Sequence, residues 1–423
     1  MKHVAISPFI CLLLAVGLLG LPAGQTRAAS AGGADLTPET GQRNLPVVLL
    51  QTTNTIEGDV RVPCTVQILC PAGTGCGVTN RLAGVVGLHG ASSRGYPKKS
   101  YAFTLEQPAS LLDLRTNAHW VLNAAYIDRS LMRHKLSYDL FRSWSVKGAE
   151  RFAIASRFVE VQLNGDYRGA YLLMERVDRS LLGLRPFGSN DVSHACIYKA
   201  IDHAANFGQP GRAGYEQREP DPLTHPYWRP LDEFNRFVST APDAKFFDPQ
   251  TGIESRLDLD NAIDFHLLVL LTSNGDGITK NFILARDGQE SGVPSQRFFF
   301  VPWDYDGTFG RNWDASPVPP SVWLSNNLFD RLLGQAAYRA RFAARWRQLR
   351  ERGLSAKSIQ GMIEANAQTL GEAPRRNAAC WPTTNGPAPD ELTFVEEIDQ
   401  MKRWVEERIQ WLDQAINHLS DQH

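Results

Sequence analysis

The stretch that most constrains the fold runs from residue 271 to residue 306, LTSNGDGITKNFILARDGQESGVPSQRFFFVPWDYD. Near its end, Phe298–Val301 is a continuous apolar run, and this pattern predicts a buried strand. Asp304 and Asp306 follow the run closely. The sequence therefore predicts two carboxylates at the point where a buried strand gives way to a turn.

Two polar residues upstream of this strand complete a chemical pattern. Asn281 follows Asp276 after four spacer residues, and Asp304 comes just past the next strand. In protein kinases such an Asp accepts the substrate hydroxyl proton, while the Asn and the later Asp hold Mg²⁺ on the nucleotide phosphates. Mg²⁺ prefers hard oxygen ligands and needs only one or two protein carboxylates. The HRD and DFG strings are missing here, so the pattern excludes an ordinary protein kinase.

Each of these residues also has a purely structural interpretation. Asp304 and Asp306 could close a turn through Asx-type hydrogen bonds. Asn281 could cap or close a turn, and Asp276 could be a solvated loop residue. Two carboxylates so close to a core are costly unless a cation or hydrogen-bond donors compensate them, which favours the metal interpretation.

Length and charge narrow the class of protein. The chain has 423 residues, is 43% hydrophobic and has a formal net charge of −1. This is enough for a large core, in one two-lobed unit or two closely joined domains. Because the charge is near zero and no long basic run is present, nucleic acid is not the expected partner.

The first 29 residues predict a secretory signal peptide. Lys2 and His3 precede the apolar run Phe9–Leu21, and small residues follow it. A membrane-spanning helix is the less favoured alternative, because the run is short. Residues 30–44 predict a flexible leader, and no later apolar stretch is long enough to cross a bilayer. We therefore expect a secreted, periplasmic or cell-surface protein without a stable membrane span.

Five cysteines lie beyond the signal peptide. An exported chain can keep disulfides, and Cys64, Cys70 and Cys76 are close enough in sequence to predict one local bridge between an undetermined pair. Zinc is the competing interpretation of this cluster, but no histidine lies close by and the CxxC spacing is absent. The remaining cysteines are Cys196 and Cys380, and the odd total predicts an unpaired thiol or a partner on another chain.

A loop of small residues lies between two predicted strands at His89–Ser100, HGASSRGYPKKS. Such a loop can place backbone N–H groups and ammonium charges against phosphates. A plain hairpin turn with solvated lysines is the alternative. It is not a Walker A loop, because its lysines come too late. The candidate phosphate-binding residues are Ser92, Ser93, Arg94, Lys98 and Lys99.

The regions that follow this loop alternate between strands and helices. A helical pattern begins near Ser130 and carries Arg133, an arginine expected on a solvated face. A hairpin is predicted around Asn164-Gly165, with Glu175 at the end of its return strand. Further helices are predicted near residues 231–240, 257–271, 328–350, 355–369 and 391–419.

Taken together, seven strings resemble the CotH family of secreted, spore-coat-type atypical protein kinases. They occur in the family's order between about residues 45 and 315. The strings are LPVVLLQT, GASSRGYPKKSYAFTLE, WVLNAAYIDRSLMRHKLSYDLF, VQLNGDYRGAYLLMERVD, IYKA, SNGDGITKNFIL and FFFVPWDYDGTFGRNWD.

The resemblance implies an α+β, two-lobed, protein-kinase-like fold. It places a strand-rich N-terminal lobe at about 45–175, a mostly helical C-terminal lobe at about 176–423, and ATP with Mg²⁺ or Mn²⁺ in the cleft. The implied activity is transfer of the ATP γ-phosphate to a serine or threonine hydroxyl of a secreted or envelope protein. Asp276 is then the catalytic base. The implied metal residues are Asn281, Asp304 and, as a further candidate, Asp306.

The resemblance also implies nucleotide contacts. Lys99, or alternatively Lys98, pairs with the phosphates, and the Ser92–Gly95 loop covers them. Glu175 lies near the adenine. Lys199 and Arg133 contact phosphates or support the cleft.

The chain departs from the family pattern in two places. It has His89-Gly90-Ala91-Ser92-Ser93 where relatives have a string closer to RGNSS, and His134 where an asparagine is expected. The altered loop motivates an alternative from another class, a catalytically weak envelope or surface protein that binds or assembles partners. A metal-dependent hydrolase that uses the same carboxylates is a third hypothesis.

Overall fold

In the computed structural model, seven strands between residues 47 and 175 form a closed barrel in the order β1-β2-β3-β4-β5-β7-β6. Strand β6 pairs in parallel with β1, at Val47 opposite Glu160, and this pairing closes the sheet. The strands are β1 Val47–Thr52, β2 Val62–Leu69, β3 Leu82–His89, β4 Ser100–Ala109, β5 Asn117–Asn123, β6 Ser156–Leu163 and β7 Asp166–Glu175.

The structure describes residues 43–71, 79–186, 193–289, 296–382, 390 and 392–420. The predicted signal peptide and nearly all of the predicted leader lie outside these residues. Within the described parts of the chain, no helix is both long and apolar enough to cross a membrane.

Side chains along the barrel strands point alternately into two different hydrophobic cores. Phe103, Trp120 and Tyr171 belong to a core inside the barrel. Val121, Leu172 and Met174 lie on the opposite face of the same sheet and pack into a larger core shared with the helices. Because successive side chains of a strand point to opposite faces, the same strands supply both cores.

The predicted hairpin is confirmed at β6 and β7, where Leu163 pairs with Asp166. Asn164 and Gly165 both have positive φ angles, 52° and 91°. Such a two-residue turn requires positive φ at both positions, and Asn-Gly adopts it at little cost.

A second, four-stranded sheet has the order β11-β10-β8-β9. The strand predicted at 298–301 corresponds to β11 of this sheet, with each end displaced by one residue. The strands are β8 Cys196–Ala200, β9 Tyr215–Glu219, β10 Phe282–Arg286 and β11 Phe299–Pro302.

Helices make up most of the remaining regular structure. They are α1 Arg133–Ser143, between β5 and β6, α2 Arg229–Thr240, α3 Asp243–Phe246, α4 Leu259–Thr272, α5 Asn327–Leu333, α6 Ala336–Glu351, α7 Ala356–Leu370, α8 Ala373–Cys380 and α9 Phe394–Ser420. The mixed α and β composition was expected. The helix predicted at 328–350 is instead two helices, because the chain turns to an extended conformation at Gln335.

Helix α9 starts three residues later than predicted, for a local reason. The Thr393 hydroxyl accepts the Glu396 N–H, and the Glu396 carboxylate accepts the Thr393 N–H at 2.8 Å. This reciprocal capping satisfies two backbone donors that a helix start otherwise leaves unpaired.

Buried charges join α1 to α9, and they correct the expectation for Arg133. Its guanidinium is buried rather than solvated, and it donates to Glu397 at 2.6 Å. Arg311 donates to the other oxygen of Glu397 at 2.5 Å. Burial alone would raise the pKa of Glu397, but these two arginines lower it to about 2.

The cysteines only partly test the predicted bridge. Within the described residues, Cys64 and Cys196 are buried free thiols, and Cys380 is an exposed one. Cys64 therefore takes no part in the predicted local disulfide. Cys76 lies outside the described residues, so a bridge between Cys70 and Cys76 stays a prediction.

We expect Glu397→Gln to lower the free energy of unfolding by roughly 3–5 kcal/mol at pH 7, because it leaves buried arginines without their partner. The folded pKa lies below the unfolded value of 4.5. The ionised carboxylate therefore stabilises the fold fully above about pH 5, and this contribution of roughly 3 kcal/mol is lost as pH falls towards 2. Urea unfolding at several pH values measures both effects.

The matched control is Glu372→Gln. Glu372 is the N-cap residue of α8, its carboxylate is 68% exposed, and it pairs with Arg375 in the first turn of the helix. It should change the unfolding free energy by no more than about 1 kcal/mol. Equal losses in the two variants would contradict the role given to the buried network.

Candidate functional site

The acidic turn, residues 304–306, directly follows β11 and is held by one face of α1. The Asp304 N–H donates to the Tyr138 hydroxyl, and the Tyr305 N–H donates to His134 Nδ1, both at 3.0 Å. Asp304 has a φ of 59°, in the left-handed region that aspartate tolerates better than most residues. The turn is thus set by backbone contacts, which leave the carboxylate of Asp304 available.

Three side chains of this region could surround a metal ion. Single ligand atoms of His134, Asp304 and Asp306 lie within 4.8 Å of one another. Burial raises the pKa of Asp306 well above its usual value, and the nearby Asp304 raises it further. A divalent cation would relieve this repulsion, and two carboxylates are a donor set that suits Mg²⁺ or Mn²⁺.

His134 has a bond that bears on its role in this cluster. Because its Nδ1 accepts the Tyr305 N–H, the proton of the neutral ring is on Nε2. Burial lowers the pKa of His134 and so favours this neutral form. Nε2 lies 3.7 Å from Asp304 Oδ1. This separation is too long for a hydrogen bond, and Nε2 lies closer to the Asn123 amide, at 3.4 Å. With Nδ1 already bonded to Tyr305, the two aspartates are the more suitable metal ligands.

The loop that carries Asp276 contacts the acidic turn. Helix α4 ends at Thr272, and the next residue but one, Asn274, accepts the Gly277 N–H at 2.9 Å and donates to the Asp304 carbonyl at 3.2 Å. Asp276 itself lies 3.1 Å from Lys280 and 3.7 Å from His203. The structure therefore places Asp276 on a loop adjacent to the acidic turn, although its carboxylate is not part of the three-residue cluster.

Asn281 lies at the same end of the second sheet. Its N–H donates to the Ala200 carbonyl at 3.1 Å, and its carbonyl accepts the Trp303 N–H at 3.3 Å. Because β8, β10 and β11 are antiparallel neighbours, the end of β8, the start of β10 and the end of β11 meet here. Asp276, Asn281 and Asp304 are therefore close in space as well as in sequence pattern, while their roles stay predictions.

Lys199 brings a positive charge to this end of the sheet. Its Nζ lies 4.5 Å from the centre of the Trp303 ring. Burial, and then repulsion from Arg218, lowers the pKa of Lys199 to about 8. Within the described residues Lys199 forms no ion pair, whereas Arg218 pairs with Glu216 at 3.0 Å.

Two barrel residues face the same region. Burial, Arg218 and Arg61 lower the pKa of Arg176, which directly follows β7 and has no ion pair in the described parts of the chain. Burial and the nearby Lys199 lower the pKa of His89, at the end of β3, to about 4. We call Lys199, Arg176 and Arg218 the basic cluster. Lys199 and Arg176, which have no ion pair in the described residues, are suited to bind an anion.

The loop of small residues at His89–Ser100 is held by contacts within the loop and with the barrel region. Residues Ser92–Gly95 form a short 3₁₀ turn. Gly90 has a φ of 99°, and a Cβ there would lie only 1.9 Å from Ser93 Oγ, so glycine is needed. Arg94 pairs with Asp59, and Lys99 donates to the Arg94 carbonyl at 2.6 Å. Both side chains thus have partners within the barrel region.

Lys98 is buried away from the acidic turn. Its ammonium donates to the carbonyls of Ala124 and Ala170 and to Asn377 Oδ1, at 2.7, 2.5 and 2.8 Å. Burial lowers its pKa to about 7. All three N–H groups have acceptors within the protein, so we do not include Lys98 among the residues proposed to bind phosphate.

Glu175 and Arg133 are buried and make contacts that hold the surrounding chain in place. The Glu175 carboxylate is buried and accepts the N–H groups of Arg115 and Ala155, at 3.3 and 3.2 Å. Arg133 donates to the Thr308 carbonyl at 2.7 Å, just beyond the acidic turn. Of the two roles considered for Arg133, this contact favours support of the cleft.

Sequence reasoning missed Arg176 and the contact made by His134. Arg176 is the second of two charged residues that follow the apolar run Tyr171–Met174, and this was a usable signal. The role of His134 depends on a contact between residues 171 positions apart, which no local pattern contains.

Comparison with known proteins agrees with the resemblance of the strings. The chain is 27% identical to the inner spore coat protein H of Bacillus subtilis (strain 168) over 348 residues, which cover 79% of this chain and 87% of that protein. A sequence model of the family described as CotH kinase protein matches residues 86–412. The family expected from the sequence is confirmed: the chain belongs to the CotH kinase protein family.

Proposed function

We propose that the chain is an exported, metal-dependent atypical protein kinase with a two-lobed fold. In this proposal the barrel is the N-terminal lobe, and the second sheet with its helices is the C-terminal lobe. ATP lies between them, and its γ-phosphate passes to a serine or threonine hydroxyl of a secreted or envelope protein. The observation that carries the proposal is the meeting of the acidic turn, the Asp276 loop and the basic cluster at one end of the second sheet.

The acidic turn is the proposed metal site. Asp304 and Asp306 would hold Mg²⁺ or Mn²⁺, with Asn281 adding an amide oxygen. When bound, the ion would supply positive charge that stabilises the transferring phosphoryl group. The backbone hydrogen bonds to Tyr138 and His134 would keep the turn rigid.

Asp276 is the proposed general base. It would accept the proton of the acceptor hydroxyl while the hydroxyl oxygen forms a bond to the γ-phosphorus and the bond to ADP breaks. Lys280, 3.1 Å away, holds the carboxylate in place. Most of the rate enhancement would come from positioning and from electrostatic stabilisation.

The basic cluster is the proposed phosphate site. Lys199 and Arg176 lack carboxylate partners in the described residues, so their charges are available to phosphate oxygens. Lys99, Lys98 and Arg94 already have acceptors or counter-ions. The proposal therefore assigns phosphate binding chiefly to Lys199 and Arg176, and it leaves Ser92 and Ser93 as candidates for covering the nucleotide.

A second candidate function is binding or assembly at the cell surface without turnover. Two observations favour it: the Bacillus subtilis relative is named as a coat protein, and the loop side chains Arg94 and Lys99 are occupied within the barrel region. The relative's name also supports an outer-layer location for this chain. Calorimetry with ATP and Mg²⁺ or Mn²⁺ separates the candidates, because the assembly function predicts no heat at millimolar nucleotide.

Asp276→Asn and Asp304→Asn should fail at different steps. We expect Asp304→Asn to abolish metal-dependent ATP binding in calorimetry, because it removes a charged ligand. Asp276→Asn should keep that binding within about twofold but lower labelled phosphate transfer by roughly 10²-fold or more, because the proton acceptor is lost. The mature chain, labelled ATP and a periplasmic or surface extract supply the assay.

The control for this pair is Asp243→Asn, an exposed carboxylate that pairs with Arg331 away from the acidic turn. It should leave both readouts unchanged. Transfer that survives both test substitutions would remove the mechanism. Release of free phosphate without labelled protein would instead indicate a hydrolase.

The affinity for ATP with metal should fall as pH rises from 7 to 9. Lys199 has a pKa of about 8, so it carries its charge below that pH and loses it above. We expect Lys199→Arg to keep its affinity across this range and Lys199→Gln to bind roughly tenfold more weakly at pH 7. A wild-type affinity that is constant between pH 7 and 9 would exclude Lys199 from phosphate binding.

A further inference from the structure

A cavity of about 240 Å³ lies at the opposite end of β10 from the acidic turn. Arg286, the last residue of β10, lines it together with Arg256, which precedes α4. Polar side chains of Gln250, Thr251 and Ser255 also line it. None of the residues around this cavity belongs to the acidic turn, the Asp276 loop or the basic cluster.

The two arginines of this cavity lie against aromatic rings. The Arg256 guanidinium carbon is 4.2 Å from the centre of the Phe237 ring, and that of Arg286 is 5.3 Å from the centre of the Phe298 ring. Such contacts orient a guanidinium and stabilise it weakly. They do not neutralise its charge.

Neither arginine has an acidic partner in the described parts of the chain. Each buries an Nε atom that has no hydrogen-bond acceptor. Among the described side chains, Arg286 bonds only to neutral groups, the Ser193 hydroxyl at 3.3 Å and the Cys196 thiol. The carboxylate that lines the cavity, Glu233, pairs with Arg229 at 2.8 Å. A buried donor without an acceptor is unfavourable.

Other arginines of the chain show that this arrangement is not general. Arg331 also lies on an aromatic ring, 3.8 Å from the centre of Phe246, but it pairs with Asp243 at 2.8 Å. Arg151 and Arg345 share the buried Asp264. Two guanidinium groups without a carboxylate partner in the described residues thus line a single cavity, and an anionic ligand would supply their counter-charge.

We propose that this cavity binds a phosphate monoester group between Arg256 and Arg286. A phosphate dianion matches two cationic groups, whereas a carboxylate would leave one uncompensated. The planar guanidinium donates two parallel hydrogen bonds to phosphate oxygens, and it does so better than a lysine. The phosphate can come from a phosphorylated serine or threonine of a protein or from a small phosphate ester.

The probe for this site is inorganic phosphate, measured by calorimetry in the Lys199→Gln background so that the basic cluster contributes little. Arg256→Gln and Arg286→Gln should each weaken phosphate binding at least about tenfold, because each removes charge-assisted hydrogen bonds. In the otherwise wild-type protein, the double variant should lose one of two phosphate equivalents. This second measurement keeps the test valid if Lys199→Gln folds poorly.

The matched control is Arg212→Gln. Arg212 is exposed, lies 4.9 Å from the centre of the Trp228 ring and does not line the cavity. It should leave phosphate affinity unchanged. Because Arg256 and Arg286 have no acidic partner among the described residues, their substitution removes no ion pair shown there and should lower the thermal unfolding temperature of the phosphate-free protein only slightly. A marked drop in that temperature would mean a structural role and would overturn the proposal.

Unchanged phosphate affinity in both Arg256→Gln and Arg286→Gln would also overturn it. A phosphoserine peptide distinguishes the two sources of phosphate. Tighter binding of the peptide than of inorganic phosphate, with no binding of the unphosphorylated peptide, indicates a phosphoprotein. Equal affinities indicate a small phosphate ester, and both results support the site. The test uses no kinase activity, so its outcome is independent of the proposed function.

Discussion

The contact between α1 and the acidic turn is the interaction on which the candidate site depends. Arg133, His134 and Tyr138 lie on the helix and bind the backbone of Thr308, Tyr305 and Asp304, respectively. These bonds satisfy backbone groups in an irregular turn, where an unpaired buried group is costly. They also hold Asp304 in a left-handed conformation, so its carboxylate can lie near Asp306 despite their repulsion.

Charge compensation distinguishes the structural regions from the proposed binding sites. Buried arginines such as Arg133, Arg311 and Arg151 have carboxylate partners, so they join elements of the fold. Arg176 and Lys199, at the acidic turn, have none in the described residues. Like charges held close together without counter-ions destabilise the protein alone. In the proposed function, the binding of phosphate would relieve this repulsion.

Local patterns predicted the parts of the fold whose causes are local. The apolar run at 298–301 became β11, and Asn164-Gly165 formed the turn of the β6–β7 hairpin, because turn geometry depends on those two residues. The break at Gln335 and the burial of Arg133 were not predicted. The burial of Arg133 depends on packing between elements that are distant in sequence, and helical periodicity alone does not report it.

The sequence by itself determined the family, the β6–β7 hairpin, the strand at 298–301 and the spacing of Asp276, Asn281 and Asp304. Only the tertiary structure decided which lysine is available to a ligand. Lys98 and Lys99 lie in a loop whose composition suggested phosphate binding, yet both ammonium groups find acceptors inside the protein. Lys199 lies beside Trp303 without a counter-ion in the described residues. A residue type specifies what a side chain can bind, whereas the packing around it decides whether its hydrogen bonds are already made.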